Sequence, residues 1–196
     1  MAVLMILEWQ GVTTDDYDRV NEAMGITGDD DAPDGLIQHV SAVSDDGDVL
    51  IADVWESEEQ LGRFVESRLG PAIGQLGLPE SEPRIMPVHN TIRGRAQEPR
   101  LLVLIDVPTG TTDQYDAMLS QMPAHTTADG HPAYIHVAAR TGAGLVVADV
   151  WPSPEAFGEF AEQQIGPAAQ HAGVTDIQPR MLRVHNTIRG RAGVPS

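Results

Sequence analysis

Nine residues, Val88-His-Asn-Thr-Ile-Arg-Gly-Arg-Ala96, return letter for letter as Val184 to Ala192, 96 positions further on. Shorter pieces keep the same offset: Ala52-Asp53-Val54-Trp55 recurs as Ala148-Asp149-Val150-Trp151, and Gly70-Pro71-Ala72 as Gly166-Pro167-Ala168. A period this long with two copies is the mark of a duplicated domain, because solenoids repeat on a shorter beat and need more copies to cover their ends. The repeats divide the sequence into residues 1–96 and 97–196, joined at Gln97-Glu98-Pro99. Each half is about the size of a modest independent fold.

Composition removes several chemistries. Lysine is absent, so all 12 basic residues are arginines and Schiff-base catalysis has no amine to use. Cysteine is absent as well, which excludes thiolate nucleophiles, iron–sulfur clusters, zinc ribbons and disulfides. A net charge of −17 repels phosphate backbones and anionic lipid, so neither nucleic acid nor membrane is an expected partner. The apolar opening Ala2 to Leu7 is too short to cross a bilayer and lacks the basic start of a signal peptide. The expectation is a soluble, acidic, cytoplasmic protein.

Both halves show one order of elements. Val3–Trp9 and Leu101–Val107 are apolar runs of strand length. Thr13 and Thr111 then cap helices whose first turns are acidic or polar; Gly25 ends the first and Pro123 the second. Hairpins follow at 36–55 and 134–151. With a three-residue loop after Ser44, His39 falls opposite Asp53; with the two-residue loop Gly142-Ala143, His136 falls opposite Asp149. Glycine at the first loop position predicts a type II′ turn there. Second helices start at Ser57 and Ser153, and Gly70-Pro71 and Gly166-Pro167 predict a kink or break in each. A last strand, near 84–92 and 180–188, closes each repeat. The acidic stretch from Gly28 to Gly35 reads as a solvated loop, and its spacing does not match an EF-hand.

Strand–helix–strand–strand–helix–strand is the ferredoxin-like βαββαβ unit, an α+β fold. Its helices cover one face of the sheet, so the other face needs a partner, which a second copy in the same chain supplies. The order, with Asp53-Val54-Trp55-Glu56-Ser57-Glu58-Glu59 running into Phe64 and Gly70-Pro71-Ala72, resembles the dimeric α+β barrel superfamily and its antibiotic-biosynthesis-monooxygenase-like (ABM) domains. The resemblance covers about residues 2–96 and 100–192 and implies an intramolecular barrel, a pseudo-dimer, which is monomeric or pairs further as a homodimer. Members of the superfamily differ in chemistry: some oxidise polycyclic phenols without metal or flavin, some open haem, some cyclise polyketides.

His39 and His136, each opposite a carboxylate (Asp53, Asp149), have the setting of a general base whose tautomer is fixed. The alternative is a buried pair that satisfies two polar groups and does no chemistry. His89 and His185 stand beside Asn90 and Asn186 in the repeated nonapeptide. Strand alternation predicts that a histidine and its neighbouring asparagine face opposite sides. Trp55 and Trp151 share a strand face with the aspartates and either stack on a flat ligand or fill the core. Tyr17 and Tyr115 fall on the inner side of the first helix, and Tyr134 lies two positions before His136. Glu8 and Asp106 match in the first strand. Arg93, Arg95, Arg189 and Arg191 are expected to pair with carboxylates. Only the second half carries His125, His131 and His171, the first two read as surface-loop residues. If one pocket alone reacts, the second half is the expected one.

The resemblance implies an enzyme of monooxygenase type acting on a small apolar or aromatic, polyketide-like molecule. A histidine base would take a phenolic proton and no cofactor would be needed. Cyclase or isomerase chemistry would use the same residues, and a non-catalytic ligand-binding or scaffold barrel is the alternative of another class. Haem cleavage ranks low, since the second helix of the first half offers no axial histidine. No metal is expected, although His39, His89 and Asp53 form a chemically possible ligand set.

Overall fold

The structure, a computed structural model, describes residues 1–175 and 177–193. The strands are β1 (Val3–Trp9), β2 (Leu36–Val43), β3 (Val49–Trp55), β4 (Arg84–Arg93), β5 (Leu101–Val107), β6 (Ile135–Arg140), β7 (Leu145–Trp151) and β8 (Gln178–Arg189). They are hydrogen-bonded in the order β1-β3-β2-β8-β5-β7-β6-β4, which closes a barrel. The expected α+β class, tandem ferredoxin-like repeats in a dimeric-type α+β barrel, is the fold observed. Among the described residues no helix is long and apolar enough to cross a membrane.

Contacts divide the chain into two compact units, and these are not the sequence repeats. One is Met1–Pro87 with the last strand from Arg183 onward; the other is Val88–Leu182. The reason lies in the pairing of two strands. The start of β4 pairs with β1, but from Val88 it pairs with β6. The end of β8, from Arg183 to Arg189, pairs with β2. Each repeat therefore contributes its nonapeptide to the unit built mainly from the other.

In the first unit β1, β3 and β2 form an antiparallel meander with His39 opposite Asp53. Residues of alternating strand positions (Val3, Met5, Leu7, Ile51, Trp55) make a core with Tyr17 and Val20 of α1 (Thr14–Met24) and Leu61 of α2 (Glu58–Phe64). Leu4, Ile6, Leu50 and Val54, on the opposite strand faces, are buried too. Helix α1 is fixed at both ends: Thr13 and Asp16 form a reciprocal capping box, and Gly25 at φ 66° closes a left-handed C-cap.

The second unit repeats this pattern. Leu101, Val103 and Ile105 of β5 pack with Trp151 and with Phe157 of α5 (Pro154–Phe160), and Tyr115 of α4 (Thr112–Gln121) packs on Ala138 and Leu145. His136 lies opposite Asp149. The hairpin loop has the expected length, with Thr141 N–H bonded to Gly144 O at 2.9 Å. It is not the expected type II′ turn, which needs a positive φ at its first loop residue, and Gly142 is not among the positive-φ glycines. Instead the Thr141 hydroxyl accepts the Gly144 amide at 2.8 Å, a side-chain cap that a II′ turn would not need.

The proline-bearing helices do not break. After α2, residues Val65–Leu69 form a π-turn and continue into α3 (Gly70–Leu76); Ala161–Ile165 do the same before α6 (Gly166–Ala172). Pro71 and Pro167 have no N–H to donate, and the wider turn lets the Gly70 and Gly166 amides reach back to the Val65 and Ala161 carbonyls. A Cβ on Gly70 would stand 3.1 Å from Val65 O, a tight approach, and one on Gly166 would stand 3.4 Å from Ala161 O.

Candidate functional site

Each unit holds an apolar cavity with a polar chain of three residues in its wall. In the first unit, the hairpin register brings His39 Nδ1 to 2.7 Å from Asp53 Oδ1. The inner face of α1 brings the Tyr17 hydroxyl to 2.7 Å from His39 Nε2, with the two rings nearly parallel at 5.8 Å. Asn186 Nδ2 donates to the same hydroxyl at 3.0 Å. In the second unit, His136 Nδ1 is 2.7 Å from Asp149 Oδ1 and Nε2 is 2.7 Å from the Tyr115 hydroxyl, which accepts from Asn90 Nδ2 at 2.8 Å. Both nitrogens of His39 are thus hydrogen-bonded, whereas at His136 the Nδ1–Oδ1 approach is close but Asp149 Oδ1 makes no aligned hydrogen bond. The carboxylate at Nδ1 orients each ring and leaves Nε2 for the tyrosine.

The asparagines arrive through β-bulges. The register of β4 on β6 slips between Val88 and Asn90, and that of β8 on β2 slips across Val184 and Asn186, so His89 and His185 are the extra residues. A bulge suspends strict alternation. The expectation that histidine and asparagine face opposite sides is therefore overturned. The His89 ring meets the Tyr115 ring edge-on at 5.4 Å while Asn90 bonds its hydroxyl, and His185 and Asn186 do the same at Tyr17. His89 Nε2 lies 2.9 Å from Asp116 Oδ1, and His185 Nε2 lies 2.9 Å from Asp18 Oδ1. Asp18 and Asp116 were not anticipated. Their one signal was position, directly after the tyrosine in both repeats.

The first cavity has a volume of about 60 Å³ and opens partly to solvent; Trp9, Tyr17, His39, Trp55 and Phe64 are in its lining. The second has a volume of about 80 Å³, lined by Tyr115, Met118, Met122, His136 and Phe160 and, unlike the first, by two further histidines, His125 and His131. His131 is 3% exposed, so its reading as a surface residue is corrected. The loop that carries it is tied to the end of β4: Gly94 N–H bonds Tyr134 O, and Arg95 N–H bonds His131 O at 3.0 Å. A Cβ on Gly94 would lie 2.1 Å from Ala133 O, and one on its repeat mate Gly190 would lie 1.7 Å from Leu36 O. Backbones meet here at glycine distance, a physical reason for the glycine that both nonapeptides carry.

Other candidates fall elsewhere. Trp55 lines the first cavity, whereas Trp151 is fully buried among Phe157, Phe160 and His131 and is not part of the second cavity's lining. Tyr134 is half-buried under the Arg93 guanidinium, 5.9 Å from its ring centre, and is also outside that lining. Glu8 and Asp106 are exposed. Arg191 reaches a backbone carbonyl, that of Asp30, and Asp29 accepts the Arg189 amide, so the acidic loop is pinned to β8. Among the described residues no three metal-ligating side chains are gathered, and His89 bonds Asp116.

Electrostatics separates the two cavities. Burial opposes a charge on His39, but the Asp53 carboxylate outweighs it, with Tyr17 adding to the effect, and the pKa is pushed up to about 10. Burial pushes the Tyr115 hydroxyl well above its ordinary range against the Asn90 hydrogen bond, with the charges of Asp149 and Asp116 adding to the rise. Burial, reinforced by His136, pushes His131 down to about 4.

No family model and no curated protein matches this sequence. Solved structures do. A provisionally named monooxygenase from Fusobacterium nucleatum subsp. nucleatum is 8% identical, with 98% of this chain and 95% of that one covered at a TM-score of 0.71. One named in the same way from Lactobacillus acidophilus is 12% identical, with coverage of 100% and 99% and a TM-score of 0.70. An uncharacterised ferredoxin-fold protein from Listeria monocytogenes, described as related to antibiotic biosynthesis monooxygenases, is 10% identical over 95% of each chain at a TM-score of 0.54. At such identities the likeness is one of fold, and it spans the whole chain.

Proposed function

We propose that the protein is an ABM-type small-molecule enzyme, acting in the cytoplasm on an aromatic or polyketide-like substrate without lysine, thiol or flavin chemistry. One observation carries this reading: in each unit an apolar cavity has a Tyr–His–Asp chain in its wall. A sealed core would have favoured a scaffold, whereas a cavity that reaches a histidine favours ligand chemistry. The names of the structural neighbours point to monooxygenases.

The tyrosine, rather than the histidine, is the group that meets the substrate. Its hydroxyl oxygen accepts the asparagine N–H, and its own proton goes either to His Nε2 or to a ligand oxygen. Passing a proton between those two positions moves it into or out of the cavity while the imidazole stays behind the phenol. Asp149 and Asp53 are positioning residues that hold the rings. With its pKa raised, His39 is an imidazolium at neutral pH, so Nε2–H donates to Tyr17 and the Tyr17 proton is free for a ligand. That makes the first site a proton donor under ordinary conditions. In the second, the buried Tyr115 phenol is neutral and suited to polarise a substrate carbonyl or to hold a phenolate or enolate that forms. Such an electron-rich anion is what direct reaction with oxygen, or ring closure, requires.

The test is oxygen uptake by purified protein with polycyclic phenols, alongside mass spectrometry of any co-purified ligand. Uptake that falls at least 100-fold in Tyr115→Phe supports the monooxygenase reading. Conversion without oxygen uptake moves it to a cyclase or isomerase. An empty protein that turns over none of these compounds returns it to a binding barrel.

A further inference from the structure

The second cavity contains a polar atom that the Tyr–His–Asp chain does not use. His131 stands beside His136, ring centres 5.3 Å apart, and its other faces meet Trp151 at 6.0 Å and Phe160 at 5.6 Å. Its Nδ1 accepts the Ala133 amide at 3.2 Å. An imidazole that accepts at Nδ1 and is neutral carries its proton on Nε2. Among the described residues no hydrogen bond is made to that Nε2, although the side chain is 97% enclosed and lines the cavity. None of these residues competes for that donor, so it is open to a ligand acceptor. The first cavity has no histidine in the corresponding loop, where Ile26 and Pro33 form its wall.

We propose that His131 is a specificity-determining hydrogen-bond donor that selects, for the second cavity, apolar aromatic molecules bearing a carbonyl oxygen. The proposal rests on the reading above only in that the cavity takes a small molecule; it is independent of turnover. The ligand's flat apolar body lies against Phe160, Met118 and Met122, and its oxygen is held by Nε2–H. Because the ring remains neutral at ordinary pH, the selection does not change between pH 6 and 8, unlike that of a cationic anchor.

The test uses two shape-matched probes, 2-acetylnaphthalene and 2-ethylnaphthalene, titrated into the full-length protein. Methionine methyl NMR reports each cavity separately: Met118 and Met122 line the second, Met5 and Met24 the first. The expected result is that His131→Phe lowers the acetyl-to-ethyl affinity ratio at the second cavity about 3- to 10-fold and leaves the ratio at the first unchanged; a single neutral hydrogen bond is worth this much. His131→Gln, which keeps an acceptor for Ala133 and a donor for the ligand, restores part of the ratio. Should His131→Phe misfold, the wild-type Nε2–H resonance serves instead, moving with the acetyl probe and not with the ethyl probe. An unchanged ratio in His131→Phe, or an Nε2–H that responds to both probes alike, overturns the role of His131 and leaves the proposed enzyme standing. No binding of either probe at the second cavity overturns both.

Discussion

The two cavities share a Tyr–His–Asp chain with the same 2.7 Å spacings, and they differ in the loop after the first helix. In the first unit that loop is acidic and lends the cavity only the apolar Ile26 and Pro33, while Asp29 and Asp30 bond Arg189 and Arg191. In the second it places His125 and His131 on the cavity wall. Duplication has kept the part that depends on strand register and varied the part that does not. A difference in ligand between the cavities should therefore trace to loop residues, and a shared chemistry to the sheet and first helix.

The largest effect expected is on turnover. If the second cavity is the reactive one, Tyr115→Phe lowers the rate by about 10²-fold or more, and Tyr17→Phe changes it little; equal losses would make the cavities equivalent. Next come the buried carboxylates. Asp53→Ala should destabilise by about 3–5 kcal/mol, since it leaves the buried, charged His39 without its partner, whereas Asp149→Ala removes a close contact in which Asp149 Oδ1 makes no aligned hydrogen bond. Asp53→Ala should cost more, because His39 is held charged, and the Tm of the two variants decides the order.

The pH response should split by unit. His39 has a raised pKa, so its contribution to stability is complete below about 6.5 and is lost as pH climbs toward about 10. His131 has a lowered pKa, so its contribution is present above about 6.5 and is lost as pH falls through about 4. Amide exchange should show the first unit loosening in alkali and the second in acid; the reverse order would contradict both assignments. The smallest effect concerns the asparagines. Asn186→Ala and Asn90→Ala should cost about 1 kcal/mol each, felt around Tyr17 and Tyr115 respectively. Exchange that speeds instead within the mutated residue's own repeat would contradict the strand assignment.

What the sequence revealed follows the range of the interaction. Strand limits and the His–Asp registers were legible because alternation and loop length determine them locally; Ser44 and Asp48 do close a three-residue loop. The tyrosine–histidine bond was within reach, both residues having been singled out, but helix-to-sheet packing at 2.7 Å leaves no periodic trace. The asparagine contacts were hidden twice, by a bulge that inverts side-chain direction and by strands that pair outside their own repeat. His131 was misread because loops usually run on the surface. Here the loop lies against the end of β4, where Arg95 N–H bonds His131 O, and no local sequence pattern shows that contact.

The exchange of last strands also ties the two repeats to each other. In this chain each tyrosine takes its asparagine from the other repeat, so neither site is complete without both repeats. Within one chain the two loops can carry different side chains, as Ile26 and Pro33 against His125 and His131 show. The nonapeptides remained tied, each having to suit a host encoded elsewhere in the gene.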